Sequence, residues 1–433
     1  MNKSLWLDTI SLPSFPPLTT NEQKEVVIVG GGISGILLAY VLKQNNIDYL
    51  LIEANTICSA TTGYTTAKIT SQHGLIYHSI IDKYGVKFAQ LYLEANEKAI
   101  REYQQMCSNI DCDYQVVDNY IYSDNNHLLE KEMIALEAIG YPYQYLDKIA
   151  LPVDHVKAIG FTNQGQFNPL KFIKGIVKDL NIHEHTKAID FGDDYVKTEN
   201  NIIKAKHIVV ATHFPIINRY GMYFMKLYQS RSYVLATKNI KVVNDMYKGA
   251  AANGLSFRDY DDYLLIGGGS HRSGKDGGKY QVLHNFMENH YPQGKISYQW
   301  SNQDCMTLDN IPYIGKYCSS KNNLYVITGF NKWGMTSAMV SAYLIADLIL
   351  GRDNKYQELF SPQRSMKHRQ LLSNIFESSI NLINPLKPRC PHMFCHLKWN
   401  KEEHCWDCSC HGSRFDKDGN ILNNPANNNM KIR

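Results

Sequence analysis

Four residues near the C-terminus, Cys390, His392, Cys408 and His411, stand as C-x-H and C-x-x-H with fifteen residues between the two pairs. Thiolate sulfur and neutral imidazole nitrogen are metal ligands. The set suits structural zinc, or a two-iron cluster with the sulfurs on one iron and the imidazoles on the other. Zinc fingers pair cysteine with cysteine and histidine with histidine, whereas here each half brings one of each. Residues 390–412 hold five of the ten cysteines and four of the sixteen histidines, while Cys58, Cys107, Cys112, Cys305 and Cys318 are scattered. That distribution reads as metal chemistry before disulfide chemistry, and as a cytoplasmic chain rather than a secreted scaffold. His396, His404 and Cys405 read as surface bystanders.

A second constellation lies at the other end. Gly30, Gly32 and Gly35 form G-x-G-x-x-G directly after the apolar run 26–29, a helical pattern opens with Ile33 and Ser34, and a further apolar run ends on Glu53. Such a turn needs glycine to bend tightly, to admit a pyrophosphate against the backbone and to pack helix on strand. The pyrophosphate sits at the positive end of the helix, and an acid after the second strand accepts from a ribose. This strand–turn–helix–strand–acid order predicts dinucleotide binding, and by itself it serves NAD and FAD equally.

The stretches "KHIVVATHFP" (206–215) and "GFNKWGMTSAM" (329–339) decide between them by resemblance. From about residue 24 to 351 the chain resembles the glycine/D-amino-acid oxidase (DAO) superfamily of FAD oxidoreductases. The resemblance implies an α/β fold: a Rossmann-like FAD-binding domain with an inserted antiparallel-sheet substrate domain, as in DAO and glutathione-reductase-like FAD folds. It implies non-covalent FAD, with contacts from Gly30, Gly32, Ile33, Ser34, Gly35, Glu53, Thr61, Thr62, Ala211, Gly329, Trp333, Gly334, Met335 and Thr336. The FAD-binding parts are expected at about 1–80, 155–220 and 305–360, and the substrate domain at about 81–154 and 221–304. Lys68, Lys332 and His73 lie in loops that flank the flavin in relatives and are the weak catalytic candidates, with His73 leaning to a structural role. Arg231 and Arg258, on the expected substrate sheet, stand in for a missing carboxylate-gripping arginine or, more simply, hold structure. Cys305 does not meet the spacing by which some members attach FAD.

The tail resembles a Rieske [2Fe–2S] domain in its ligand order and in "CHGSRFD" (410–416). The resemblance implies cluster ligands Cys390, His392, Cys408 and His411, a disulfide between Cys395 and Cys410, and a hydrogen bond from Ser413 to a cluster sulfur. Two departures stand out: Phe394 replaces a glycine of the pattern, and helical sequence runs close to Cys390 where strands are expected. A helical connector is therefore expected over 361–385 and a truncated, small all-β cluster-binding lobe over 386–433. A DAO-type flavoprotein followed by such a lobe resembles the bacterial YhfW-like family.

Composition narrows the partners. With 44% hydrophobic residues, 20% charged and a formal net charge of +4, nothing suggests nucleic acid. No apolar run approaches the ~18 residues of a membrane span, and the first twenty residues carry no signal-peptide pattern. The expected function is an FAD-dependent dehydrogenase oxidising a small amine or amino acid, with electrons leaving through the cluster to a one-electron carrier protein. The alternatives are a simple FAD oxidase whose tail holds structural zinc or is vestigial, and a redox sensor or electron-transfer protein.

Overall fold

A computed structural model describes residues 3–383 and 388–431. The run Val26–Val29 is buried on both faces, as the centre of a parallel sheet requires. The strand Glu22–Val29 lies between Ile202–Val210 and Tyr49–Ile52, parallel to both. Ile182–His183 adds beyond Tyr49–Ile52, and Lys321–Thr328 then Tyr313–Cys318 add beyond Ile202–Val210, the last antiparallel. The glycine turn feeds the helix Ile33–Gln44, whose residues from Ile33 to Ala39 are all buried. A helix apolar on every side must be covered on every side; the parallel sheet and the helix Gly334–Ile349 do so. At Gly35 a Cβ would stand 2.0 Å from the Gly30 carbonyl oxygen, so only glycine fits this helix–turn contact.

The second sheet runs in the order Lys295–Met306, Tyr228–Lys238, Tyr263–Arg272, Ser256–Tyr260, Met246–Gly249, Gln115–Ser123, Lys157–Gln166, Lys68–Ile69, with Gln144–Leu146 also on Lys157–Gln166. It corrects the sequence expectation in two respects. Met246–Gly249 pairs parallel with Gln115–Ser123, so the sheet is mixed rather than purely antiparallel. Lys157–Gln166 and the edge strand Lys68–Ile69, expected in the FAD-binding part, belong to this sheet, alongside Lys295–Met306, expected almost wholly in the substrate domain. Interstrand hydrogen bonds, which sequence periodicity does not reveal, set these memberships.

The helix Arg369–Ile383 lies inside the expected connector, whose first part, 361–368, is turn and coil rather than helix; 384–385 lie outside the described residues. The C-terminal lobe is a four-stranded antiparallel sheet of Leu397–Asn400, Cys405–Cys408, Arg414–Phe415 and Ile421–Asn423. No described helix is long and apolar enough to cross a membrane.

Candidate functional site: a shared cavity and a cysteine–histidine centre

One cavity of about 1040 Å³ runs along the C-terminal ends of the parallel strands and under the mixed sheet, where open α/β sheets hold ligands. Gly30, Gly32, Ile33, Ser34, Glu53, Thr61, Thr62, Ala211, Gly329, Trp333, Gly334 and Met335 line it. Two expected contacts do not. Gly35 is spent on helix packing, and Thr336 is buried with its hydroxyl on the Thr70 carbonyl, 3.1 Å. The Glu53 carboxylate accepts from the N–H groups of Gly31 (2.7 Å) and Asn55 (2.9 Å). Burial raises its pKa while those bonds oppose the rise. Thr62 Oγ1 accepts from the Ile33 N–H at the start of the fingerprint helix, 3.0 Å. The glycine cradle and the acid beside it fit a dinucleotide.

His73 lines the cavity, but both ring nitrogens are engaged, by Tyr92 (2.6 Å) and by the Thr70 carbonyl and Thr336 (2.8 and 3.0 Å). Its ring stacks on Trp333 at 5.2 Å, and burial holds its pKa down at about 3. It positions the tryptophan and has no free nitrogen for proton transfer. Lys68 donates to the Tyr247 carbonyl (2.6 Å) and Lys332 to Ser270 (2.8 Å). Burial lowers both amines, for Lys332 against the opposing pull of Asp304. Beside them is Lys248, which the sequence reading missed. It donates to the Gly249 and Gly254 carbonyls, and burial followed by Lys332 brings its pKa to about 7. Burial raises Asp304 to about 6 against Lys332 and Arg231. Only strand pairing brings Lys248 towards Lys332, and nothing in the local sequence marks it.

The arginines are structural. Arg258 is buried and donates to the carbonyls of Thr66, Ala67 and Phe167. Arg231 forms a bidentate ion pair with Glu403 of the C-terminal lobe. Cys305 sits in the core around Tyr313 and Leu227 with its sulfur 3.6 Å from the Thr328 hydroxyl. Burial pushes its thiol up to about 12, and it does not line the cavity.

In the lobe, Cys390 and Cys408 are fully buried and belong to one cluster with Leu397, Phe415 and the Cys395–Cys410 pair. Cys390, and then the N–H groups of His411, Cys410 and Gly412, hold the pKa of Cys408 below the ordinary value. Ser413 Oγ accepts from the Ala426 N–H, 3.0 Å, and the Ser413 carbonyl accepts from the Cys408 N–H, 2.9 Å. The His392 and His411 rings lie 4.8 Å apart. His392 Nε2–H donates to Asn218 Oδ1 (2.7 Å), which leaves Nδ1 its lone pair; that buried nitrogen and both nitrogens of His411 lack a hydrogen-bond partner. Burial brings the imidazoles to about 4 and about 3, so both are neutral. Two buried thiols and two neutral, adjacent imidazoles with unclaimed nitrogens, carried on the two loops that the Cys395–Cys410 bond joins, supply the donor set of a cluster ligated by two sulfurs and two nitrogens.

The sulfurs of Cys395 and Cys410 stand 2.14 Å apart, joining the two ligand loops. Phe394 occupies its turn at φ +59° and is 67% exposed, a left-handed backbone that explains glycine in the related pattern. Of the expected bystanders His404 is exposed, whereas Cys405 is not a surface residue: it is fully buried, and Arg414 Nη2 donates to its sulfur at 2.8 Å. The central strand Cys405–Cys408 is covered on both edges, which puts Cys405 inside.

The lobe is seated on the flavoprotein by its ligand loops. Gln229 donates to the His411 carbonyl and Gln303 to the Gly412 carbonyl, both 2.8 Å, and Arg272 donates to the carbonyls of Ser409 and Cys410, both 3.1 Å. At Gly412, φ +84°, a Cβ would stand 2.6 Å from Gln229 Cβ. Phe214 lies edge-on to both histidine rings, 6.3 and 6.2 Å away, and Phe224 to His411 at 6.3 Å. Residues 421–424, 426 and 427 of the lobe line the same cavity as the glycine fingerprint.

A parallel nucleotide sheet with a glycine cradle, a mixed sheet across its cavity and a cysteine–histidine lobe together define a flavoprotein oxidoreductase with an iron–sulfur lobe. The chain belongs to the FAD dependent oxidoreductase (DAO) family, whose model matches residues 25–348, and a Rieske [2Fe-2S] domain model matches residues 365–432. Its cofactors are therefore FAD and a Rieske [2Fe–2S] cluster. Among relatives, it is 32% identical over 98% of its length, and 96% of the relative's, to YhfW of Bacillus subtilis, named for a Rieske 2Fe-2S iron-sulfur protein. It is 22% identical to gamma-glutamylputrescine oxidoreductase of Escherichia coli, over 79% of this chain and 87% of that one. Among solved structures, glycine oxidase from Geobacillus kaustophilus superimposes with TM-score 0.67 at 17% identity, over 80% of this chain and all of that one.

Proposed function

We propose that the protein is a dehydrogenase that oxidises a small amine or amino acid and passes the electrons singly through its cluster to a one-electron carrier protein. When bound, FAD supplies hydride acceptance from a C–H bond next to nitrogen, and the Rieske cluster supplies one-electron transfer. The observation that carries this reading is the shared wall. Ala426 of the lobe lines the flavin cavity, and its N–H donates to Ser413 Oγ, while the Ser413 carbonyl accepts from the N–H of Cys408, an expected cluster ligand. On a second path, His213 lines the cavity and the adjoining Phe214 packs against both histidines. A simple oxidase has no use for such a junction. The likeness to an amine oxidoreductase and to an amino-acid oxidase supports the substrate class. Within the site, Glu53 and the glycine turn hold the dinucleotide, Trp333 is held by His73, and Lys332 with Asp304 presents charge to the substrate side.

The test is anaerobic mixing of the holoprotein with a panel of amines and amino acids, read by absorbance and low-temperature EPR. The expected result is bleaching of the flavin band with a rhombic signal of low average g. Flavin bleaching with an EPR-silent cluster, or peroxide formed in step with turnover in air, overturns the reading.

A further inference from the structure

The helix Arg369–Ile383 faces the opposite way to an ordinary surface helix, whose apolar stripe turns to the core. Its inner face is polar. Asn374 and Asn381 are 2% and 4% exposed. Asn374 Nδ2 donates to the Met225 carbonyl (3.0 Å), and its Oδ1 accepts from Arg272 (3.0 Å) and Gln370 (3.1 Å). The Asn381 carbonyl accepts from the His396 N–H, 2.9 Å, and Glu377 pairs with Lys275. Its outer face is apolar: Leu372, Ile375, Phe376 and Ile380 are 69%, 41%, 63% and 46% exposed. Their spacing makes one stripe. Asn374 is satisfied on specific partners, and rolling the helix over would leave the Met225 carbonyl and Arg272 without it and bury the apolar stripe against polar groups. The stripe is thus the outer surface of the fold, and a contiguous apolar patch of this kind marks an interaction site.

We propose that this stripe docks an acidic one-electron carrier protein that exchanges electrons with the cluster, a proposal that rests on reading the cluster as the electron outlet. Three observations select this occupant. First, Phe214 and Phe224 stand edge-on to the histidine rings, and residues 421–424, 426 and 427 face the flavin cavity. An external partner therefore approaches from the turn between Cys390 and Cys395, where Phe394 is exposed, and the helix is pinned at Asn381 to His396, two residues from Phe394. Second, residues 365–401 carry six lysines and arginines against the single acid Glu377, an excess of +5 in a chain whose whole net charge is +4. The exposed Lys367 and Arg369 stand at the start of the helix. Exposed cations such as Lys367, Arg369 and Lys401 in a basic stretch of an otherwise near-neutral chain steer an acidic partner. Third, an apolar centre with a charged rim is the anatomy of a transient redox contact, which stays below about 1,200 Å². In the step one electron leaves the reduced cluster and reduces the oxidised metal centre or flavin of the carrier by one; no bond forms or breaks.

The test titrates full-length holoprotein with an acidic [2Fe–2S] ferredoxin and with an acidic flavodoxin by calorimetry, at low and raised salt. Ile375→Ser/Phe376→Ser and Lys367→Glu/Arg369→Glu are compared with the parent, and flavin and iron contents confirm that they fold. Expected are salt-sensitive binding of at least one carrier by the parent and affinity at least about tenfold lower in each variant, about 1.4 kcal/mol. No binding to either carrier, or equal binding by parent and variants, overturns the proposal. So does co-sedimentation of the parent with phosphatidylglycerol vesicles that Ile375→Ser/Phe376→Ser abolishes, or a parent dimer that the same change dissolves. Substrate reduction of the flavin without cluster reduction, in the absence of any carrier, sinks the proposed function instead and is measured separately.

Discussion

Arg231 of the mixed sheet and Glu403 of the cluster lobe, 172 residues apart, form a buried bidentate ion pair, and Ser301 donates to the same carboxylate. Arg414 approaches its other oxygen at 3.2 Å. Burial alone raises the Glu403 carboxyl, but Arg231 and Arg414 outweigh it and hold the group at about 2. The pair locks the lobe onto the wall of the flavin cavity.

Docking of the lobe is accordingly acid-sensitive. The folded pKa of Glu403 lies below the ordinary ~4.3 of a free glutamate, so its stabilisation is fully present above that value and is lost as pH falls towards about 2. The gap corresponds to roughly 3 kcal/mol. Calorimetric melting from pH 5 to 2.5 is expected to show the lobe transition falling steeply in the parent and less so in Glu403→Gln. At pH 7 that variant is destabilised by about 3 kcal/mol, since Arg231 is left buried without its partner. Identical pH profiles would refute the assignment.

Replacing Cys408 with serine removes a fully buried sulfur of the proposed ligand set. The protein is expected to purify with its flavin absorbance intact and with iron and acid-labile sulfide lost, because the fingerprint cradle shares no residue with the ligand set. Zinc in the parent protein, found by elemental analysis in place of iron and sulfide, would contradict the cluster.

Lys248 lines the cavity with a pKa of about 7, set first by burial and then by Lys332. Below that pH the amine is charged and attracts a small carboxylate; above it the charged fraction falls tenfold per unit. Acetate binding, followed by perturbation of the flavin spectrum, is expected to tighten about fivefold from pH 8 to 7 and by less than a further twofold below. Lys248→Met should flatten the profile, and an unchanged slope in that variant would exclude the lysine.

Phe394 holds a left-handed backbone at φ +59°, a conformation that costs a residue with a side chain about 1–2 kcal/mol. Phe394→Gly removes that cost, offset in part by the greater freedom of glycine in the unfolded chain. Melting of the lobe is expected to shift upward by the equivalent of ~1 kcal/mol or less. A downward shift would show that the aromatic ring stabilises the turn more than its backbone strains it.

Much of this protein is legible in its sequence because the chemistry is local. The glycine turn needs Gly30, Gly32 and Gly35 within six residues of one another, and the metal ligands come as two pairs, each inside four residues; turn geometry and ligand reach impose such spacings on the chain itself. The left-handed turn at Phe394 was likewise signalled by the glycine it replaces. What the tertiary structure decided are contacts between segments far apart in the chain. The edge strand Lys68–Ile69 and the strand Lys157–Gln166 joined the mixed sheet through hydrogen bonds that leave no periodic signature. Arg231, readable as a substrate anchor, became the lock on Glu403 once strand Tyr228–Lys238 faced the lobe. Lys248 gained its role from a neighbour 84 residues away, Lys332. The direction in which His392 and His411 look, onto Phe214, depends on how the lobe and the flavoprotein surface fit together. The ligand spacing is the same whichever way the lobe is seated.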